Sequence, residues 1–282
     1  MKVRKPYVAN AFYAGTRTSL TDQISNCFTH KFGPGQVPKA KQTGPRKILG
    51  IVSPHAGYMY SGPVAANGFA RLAADGSPQT FIILGPNHTG QGSGVSILTD
   101  GAWETPLGTT KIQTELAERI QKSNTVLDID EASHAYEHSI EVQLPFIQFL
   151  YGDSAKFIPI CMMMQDLQTS REIAKSIVDE CKGKDYVIIA SSDFTHYEPQ
   201  DTANRNDHSA IDAILKLDDE TLNELGESNR VTMCGYGPIT TLIAAAKLQR
   251  GAKAELLSYK TSGDVTQDKS AVVGYSSIVI TR

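Results

Sequence analysis

The amino-acid sequence predicts one α/β domain over residues 1–282, a three-layer sandwich around a mixed, largely parallel central sheet. Three features predict it. ILGIVSP (48–54), TFIILGP (80–86) and YVIIAS (186–191) are apolar runs, the pattern of strands buried on both faces. Segments of helical period stand between such runs, as crossover connections require. No linker, low-complexity tract or internal repeat divides the 282 residues, a length that suits one or two domains at about 150 residues each.

After an irregular opening, 48–54 reads as the first buried strand. Residues 62–74, small and apolar throughout, read as a helix stopped by Asp75-Gly76. Residues 80–86 and VSILT (95–99) follow as strands, and Thr105-Pro106-Leu107-Gly108 as a turn. Residues 113–122 place Leu116 and Ile120 on one helical face. Residues 139–150 have helical spacing, with Pro145 either kinking the helix or standing in its first turn. KFIPICMM (156–163) and 186–191 are strands, and Thr169-x-x-Glu172 between them reads as a capping box opening a helix to about Lys182. Helices follow at 207–217 and 239–249, the second with Pro238 at its entry and Gly251 just past its end. LLSYKT (256–261) and VVGYSSIVI (272–280) close the chain as strands. The hydrophilic stretch 33–47 reads as a surface loop, and Asp218-Asp219-Glu220 as a solvated helix start.

Composition excludes several classes of function. Hydrophobic residues make up 40% and charged residues 20%, the balance of a globular protein. With 27 Lys and Arg against 30 Asp and Glu, the net charge of −3 argues for neither nucleic acid nor an anionic membrane as partner. No apolar run approaches the roughly 20 residues of a membrane helix. The basic opening MKVRKPYVANAFYAGTRTSL lacks a secretory apolar core, so the expected location is the cytoplasm. Cys27, Cys161, Cys181 and Cys234 are scattered without a CxxC pair, as suits a reducing compartment.

In an open α/β sheet, ligands bind beyond the carboxyl ends of the strands. Three apolar strands here end in reactive residues. The strand at 48–54 delivers His55, the strand at 80–86 delivers Asn87 and His88, and the strand at 186–191 delivers Ser192, Asp193 and His196. One histidine after one strand is ordinarily just a hydrogen-bonding residue. Three such ends in one chain predict a shared cleft, because the fold gathers them at one edge. Cys234, among glycines and four residues before Pro238, differs from Cys27, Cys161 and Cys181, which stand inside apolar patterns as small core residues. A thiol near a helix N-terminus has its thiolate favoured by the dipole, and a mixed His, His, Cys set suits Fe(II), Cu or Zn. A competing pattern is His134-Ala135-Tyr136-Glu137-His138, which matches the H-x-x-E-H of inverted zinc peptidases and requires a helix across all five residues.

Pro54-His55-Ala56-Gly57-Tyr58, Leu84-Gly85-Pro86-Asn87-His88, Glu137-His138-Ser139-Ile140-Glu141 and Ser191-Ser192-Asp193-Phe194-Thr195-His196 resemble, in that order, motifs of the Memo family, known in microbes as AmmeMemoRadiSam system protein B. Cys234-Gly235 with Pro238, and Phe12-Tyr13, extend the resemblance over nearly the whole chain. It implies a fold like that of the class III extradiol ring-cleaving dioxygenases, with metal ligands at His55, His88 and Cys234. Asp193 and His196 match residues lining the same cleft. Those dioxygenases hold Fe(II) with two histidines and a carboxylate. A thiolate in the third place donates more strongly, accepts copper as well as iron, and is itself oxidisable.

Three functions follow as expectations. The first is a redox-capable metal protein holding iron or copper, or alternatively zinc, at His55, His88 and Cys234. In it Asp193, His196 and His138 are the catalytic groups that orient ligands or move protons. The second is a non-catalytic adaptor whose cleft holds a peptide or small molecule, with the radical-SAM and AMMECR-type protein partners that the resemblance implies. The third is a zinc peptidase using His134, Glu137 and His138.

Overall fold

A computed structural model describes residues 2–282. The chain opens with β1 (Val3–Arg4), α1 (Arg17–Thr29), β2 (Ile48–Ser53), α2 (Tyr58–Asp75), β3 (Thr80–Pro86) and β4 (Val95–Ile97). It continues through β5 (Ala102–Thr105), β6 (Gly108–Ile112), α3 (Thr114–Lys122), β7 (Asp128–Ile129), α4 (Ala132–Ala135), α5 (Leu144–Tyr151) and β8 (Lys156–Met162). Then come α6 (Leu167–Glu180), β9 (Tyr186–Ser191), β10 (His196–Glu198), α7 (Gln200–Leu215) and α8 (Asp219–Glu227). The last elements are α9 (Tyr236–Lys247), β11 (Lys253–Thr261), α10 (Ser262–Thr266) and β12 (Val272–Thr281).

Among the described residues the strands form one sheet in the order β1-β5-β6-β8-β3-β9-β2-β12-β10, with β11 against β12, β4 against β8 and β7 against β4. From β6 through β8, β3, β9 and β2 every neighbouring pair is parallel, and β12 then joins β2 antiparallel. Every residue of β2 and β3 is buried, as the apolar runs predict for strands covered on both faces. Two glycines show which helix covers which face. A Cβ on Gly50 would stand 2.5 Å from Leu242 Cδ1 of α9, and one on Gly68 of α2 would stand 3.1 Å from Ile51 Cδ1. Gly50 and Ile51 point to opposite faces of β2, so α9 and α2 lie on opposite sides of the sheet. The three-layer α/β sandwich is therefore realised.

Several local expectations are revised. The irregular opening contains α1, whose Leu20, Ile24, Cys27 and Phe28 recur at helical spacing and are buried, with Thr16 capping by accepting from Ser19 N–H. α2 starts at Tyr58 rather than 62, with Pro63 inside the helix. The turn at 105–108 joins β5 to β6 as a hairpin of two short, polar strands. Pro145 stands in the first turn of α5. Asp166, not Thr169, caps α6, its Oδ1 accepting from Thr169 N–H at 2.9 Å. Asp218 caps α8, but Asp219 is buried between Arg171 and Lys247 instead of solvated. No helix of the described chain is long and apolar enough to cross a membrane.

Candidate metal centre

β3, β9 and β2 are adjacent and parallel, with Leu84 opposite Ala190 and Ser191 opposite Ser53. Their carboxyl ends finish level and release their chains over one edge. His55, His88 and Asp193 all leave from it.

His55 sits in the short turn between β2 and α2 and is 1% exposed. Its backbone N–H donates to Asp193 Oδ1 at 2.8 Å, and its ring Nδ1 stands 2.8 Å from Ser191 Oγ. The Ser191 hydroxyl donates its one proton to the Ser139 carbonyl at 2.7 Å and accepts from Gln143 Nε2 at 2.8 Å. A hydroxyl has no second proton to give, so the imidazole must be the donor. His55 therefore carries its proton on Nδ1 and presents the Nε2 lone pair. Burial, reinforced by the other histidines, holds its pKa well below the usual histidine range.

His88 follows β3 through a turn built by Asn87, whose Oδ1 accepts from Thr89 N–H at 2.9 Å and whose Nδ2 donates to the Gln91 carbonyl at 2.8 Å. Glu137 is its partner. This wholly buried carboxylate accepts from His88 N–H at 2.5 Å, His88 Nδ1 at 2.9 Å, His138 N–H at 2.8 Å and Ser139 N–H at 2.8 Å. Burial pushes its pKa up, but the His88 hydrogen bond, the His88 and His138 rings and the Ser139 amide outweigh burial and bring it down to about 2. An ionised acceptor on Nδ1 fixes His88, like His55, with Nε2 free. His138 stacks on His88 with ring centroids 4.6 Å apart and meets His55 edge-on at 5.4 Å, while Phe12 packs against it at 4.7 Å. Burial lowers His138 to about 4. Ring nitrogens of His55, His88 and His138 all lie within 4.8 Å of one another, a group that could hold a metal ion.

Cys234 approaches His55 from the turn before α9, although the donors close enough to share one metal ion are the three histidines without its sulfur. Gly235 makes the approach possible, since a Cβ there would stand 2.3 Å from the Ser191 carbonyl. Cys234 Sγ lies 3.2 Å from His55 Nε2 and accepts from Asp193 N–H at 3.3 Å. Burial first, and the Asp193 charge second, push the thiol up, so the helix dipole expected to favour a thiolate does not prevail in the isolated protein. Burial likewise lifts Asp193 to about 6. His196 lies farther out, its Nδ1 2.8 Å from the Thr232 carbonyl. That carbonyl can only accept, which leaves His196 Nε2 free as well. Cys27, Cys161 and Cys181 are buried core thiols.

A profile of the Memo-like protein family matches residues 4–279. A MEMO1 family protein of Methanopyrus kandleri is 50% identical over 281 residues, 99% of each chain. One of Methanothermobacter thermautotrophicus is 45% identical over 278 residues, 98% of this chain and 99% of that one. The chain belongs to the Memo family. A crystal structure of an uncharacterised Escherichia coli K12 protein resembles it with a TM-score of 0.57 at 11% identity, covering 83% of this chain and 100% of that one, which is a likeness of fold alone. In this family member the motif residues His55, His88 and His138 converge at the sheet edge.

The peptidase pattern does not form a site. α4 ends at Ala135, so His134 and His138 do not share a helical turn. His134 is buried at the edge of Trp103, with Nε2 3.0 Å from Ser96 Oγ, and burial lowers it to about 3. Glu137 is saturated as an acceptor rather than free to act as a base. Spacing alone misses the supporting residues. Ser191 and Gln143 set the His55 proton, and Glu141 gathers the N-terminal arm through Arg4 Nη1 at 2.6 Å, Val8 N–H at 3.0 Å and Tyr13 Oη at 2.6 Å. The only hint of these partners is that Glu137, Glu141 and Ser191 stand within the family motifs.

Proposed function

We propose that the protein is a metal-dependent redox protein that holds iron or copper through His55, His88 and Cys234, with His138 as the adjacent donor, in a dioxygenase-like cleft. One observation carries this reading. A thiolate at about 2.3 Å and an imidazole at about 2.0–2.1 Å from one metal, at angles of about 90–110°, stand about 3.1–3.6 Å apart. Cys234 Sγ and His55 Nε2 stand 3.2 Å apart, with the His55 proton already on the other nitrogen. The donor set matches the chemistry, since the imidazoles of His55 and His138, which burial keeps neutral, and a thiol that a bound cation would ionise suit a borderline or soft metal. Iron or copper bound there supplies one-electron chemistry and an O2-reactive centre.

The chain's own residues do the rest. Glu137 and Ser191 orient the two Nδ1–H groups and raise ligand basicity, as carboxylate and hydroxyl partners of ligating histidines do. Asp193 fixes the His55 backbone and donates its own N–H to the Cys234 sulfur, and its raised pKa suits it to hold or release a proton near neutral pH. His196 offers a second proton acceptor nearer solvent. Elemental analysis of protein purified without chelator tests the reading, with wild type compared against His55→Ala and Cys234→Ser. Iron or copper near one equivalent in wild type, lost in both variants while their melting transitions persist, is the expected result. Equal metal content in all three overturns it.

A further inference from the structure

A second cavity, of about 350 Å³, lies apart from this site, and none of His55, His88, His138, Cys234, Asp193 or His196 lines it. Its volume is at the low end of small-molecule sites, which run from about 300 Å³ upward. Buried Trp103 forms part of its wall, with the Arg4 guanidinium 4.1 Å above the indole ring. Tyr7 and Tyr136 also line it. They are 55% and 54% exposed, and their rings meet edge to face at 5.3 Å. Exposed aromatic rings held together around an apolar hollow are surfaces on which a flat molecule gains contact.

The polar groups narrow the chemistry. The rim cations are already matched, Lys2 by Glu131 and Lys5 by Glu104. Arg4 is committed to Glu141 and to the carbonyls of His134 and Glu137. An anionic ligand would have to displace one of these partners, and the exposed Asp100 carboxylate in the lining disfavours it further. On lining residues, Trp103 Nε1 and His134 Nδ1 are closed off from solvent, so that a ligand reaches them only by a small shift of the wall, and neither has a hydrogen-bond partner among the described residues. Buried polar groups ordinarily have one. The indole can only donate, whereas the imidazole, whose other nitrogen faces Ser96, can do either. We propose that this cavity binds a small, planar heteroaromatic molecule of one or two rings that carries no negative charge, independently of the metal site.

Adenine is a suitable probe, being flat, neutral and edged with donors and acceptors. Trp103 is the single tryptophan of the chain, so its fluorescence, excited where adenine is transparent, reports this cavity. The expected result is a saturable change in emission. Tyr136→Ser removes one aromatic wall and weakens binding about tenfold, as loss of one stacking partner does. Ala135→Phe fills the hollow and abolishes binding. Both positions are exposed, and melting curves verify that the variants fold. His88→Ala leaves the affinity unchanged if the two sites are separate. No saturable change in the wild type, undiminished affinity in Ala135→Phe, or loss in His88→Ala overturns the proposal, the last by placing the probe in the histidine cleft.

Discussion

Glu137→Gln is the most informative single perturbation of the histidine cluster. The carboxylate accepts four hydrogen bonds in complete burial, three on Oε1 and one, from His88 N–H, on Oε2. A glutamine amide keeps one oxygen but turns an NH2 toward an N–H donor, leaving at least one buried donor unpaired and weakening the rest. At about 1–3 kcal/mol for a group stranded in this way, the loss is about 2–4 kcal/mol. Linkage gives a second route to the figure. Holding the carboxyl at about 2 instead of its ordinary 4.5 is worth about 3 kcal/mol at neutral pH. A depressed carboxyl stabilises the fold fully above its ordinary pKa and loses that contribution as pH falls toward 2. The deficit of the variant, measured by urea unfolding, is therefore largest at pH 7 and shrinks as acid protonates Glu137 in the wild type. Because Glu137 also fixes the His88 proton, Co(II) affinity in an indicator competition drops about 10- to 100-fold. A constant deficit from neutral to acid pH, or wild-type Co(II) affinity, would refute the role assigned to Glu137.

Four other substitutions probe the surrounding structure. Ser191→Ala strands the His55 Nδ1–H and Gln143 amide donors; it costs about 2–4 kcal/mol in urea unfolding and lowers Co(II) affinity about tenfold. Unchanged affinity would sink the proton assignment on His55. Asp207 binds the loop carrying Asp193 and His196, accepting Thr195 N–H at 2.9 Å and Tyr259 Oη at 2.7 Å. Asp207→Ala costs about 2–4 kcal/mol, and Tyr259→Phe, which removes only one of those bonds, about 1 kcal/mol. Equal losses from the two would mean that the loop contact contributes nothing. Burial raises the Asp219 carboxyl, but hydrogen bonds from Arg171 and Lys247 more than offset that and hold it below its ordinary range. Its contribution is complete above that range and fades as pH falls through it. Asp219→Asn therefore lowers the melting temperature at pH 7 and has less effect near pH 3, as thermal scans at both values check.

The strands that hold the site were legible because their signal is local. β2, β3 and β9 are buried on both faces, so each writes a continuous apolar run, and each run ends in the residue the site uses. α1 was equally written, in Leu20, Ile24, Cys27 and Phe28, but its polar helical surface hid the period within an opening read as irregular. β5 and β6 carry little apolar pattern, because several of their buried positions are filled by Ala102, Thr105 and Thr110 rather than by large apolar residues. The H-x-x-E-H pattern misled for the opposite reason. Spacing supplies a ligand pair only on a helix, and the helix stops at Ala135.

By itself the sequence determined the fold class, the parallel strands and the edge at which His55, His88 and Asp193 emerge, since burial and strand order act through neighbouring residues. The sequence offered His138 beside them in one reading and His134 with His138 in another, and the tertiary structure decided which histidine joins them. His138 entered the cluster and His134 did not, because the Glu137 carboxylate beside His138 accepts the His88 backbone N–H, a contact 49 residues apart in sequence. The proton positions were decided there too. Ser191, Ser139 and Gln143 must meet His55 in space before its ring can be left with one free nitrogen. Hydrogen bonds between distant residues leave no periodic trace in a sequence, and they are what turned three strand ends into one candidate metal centre.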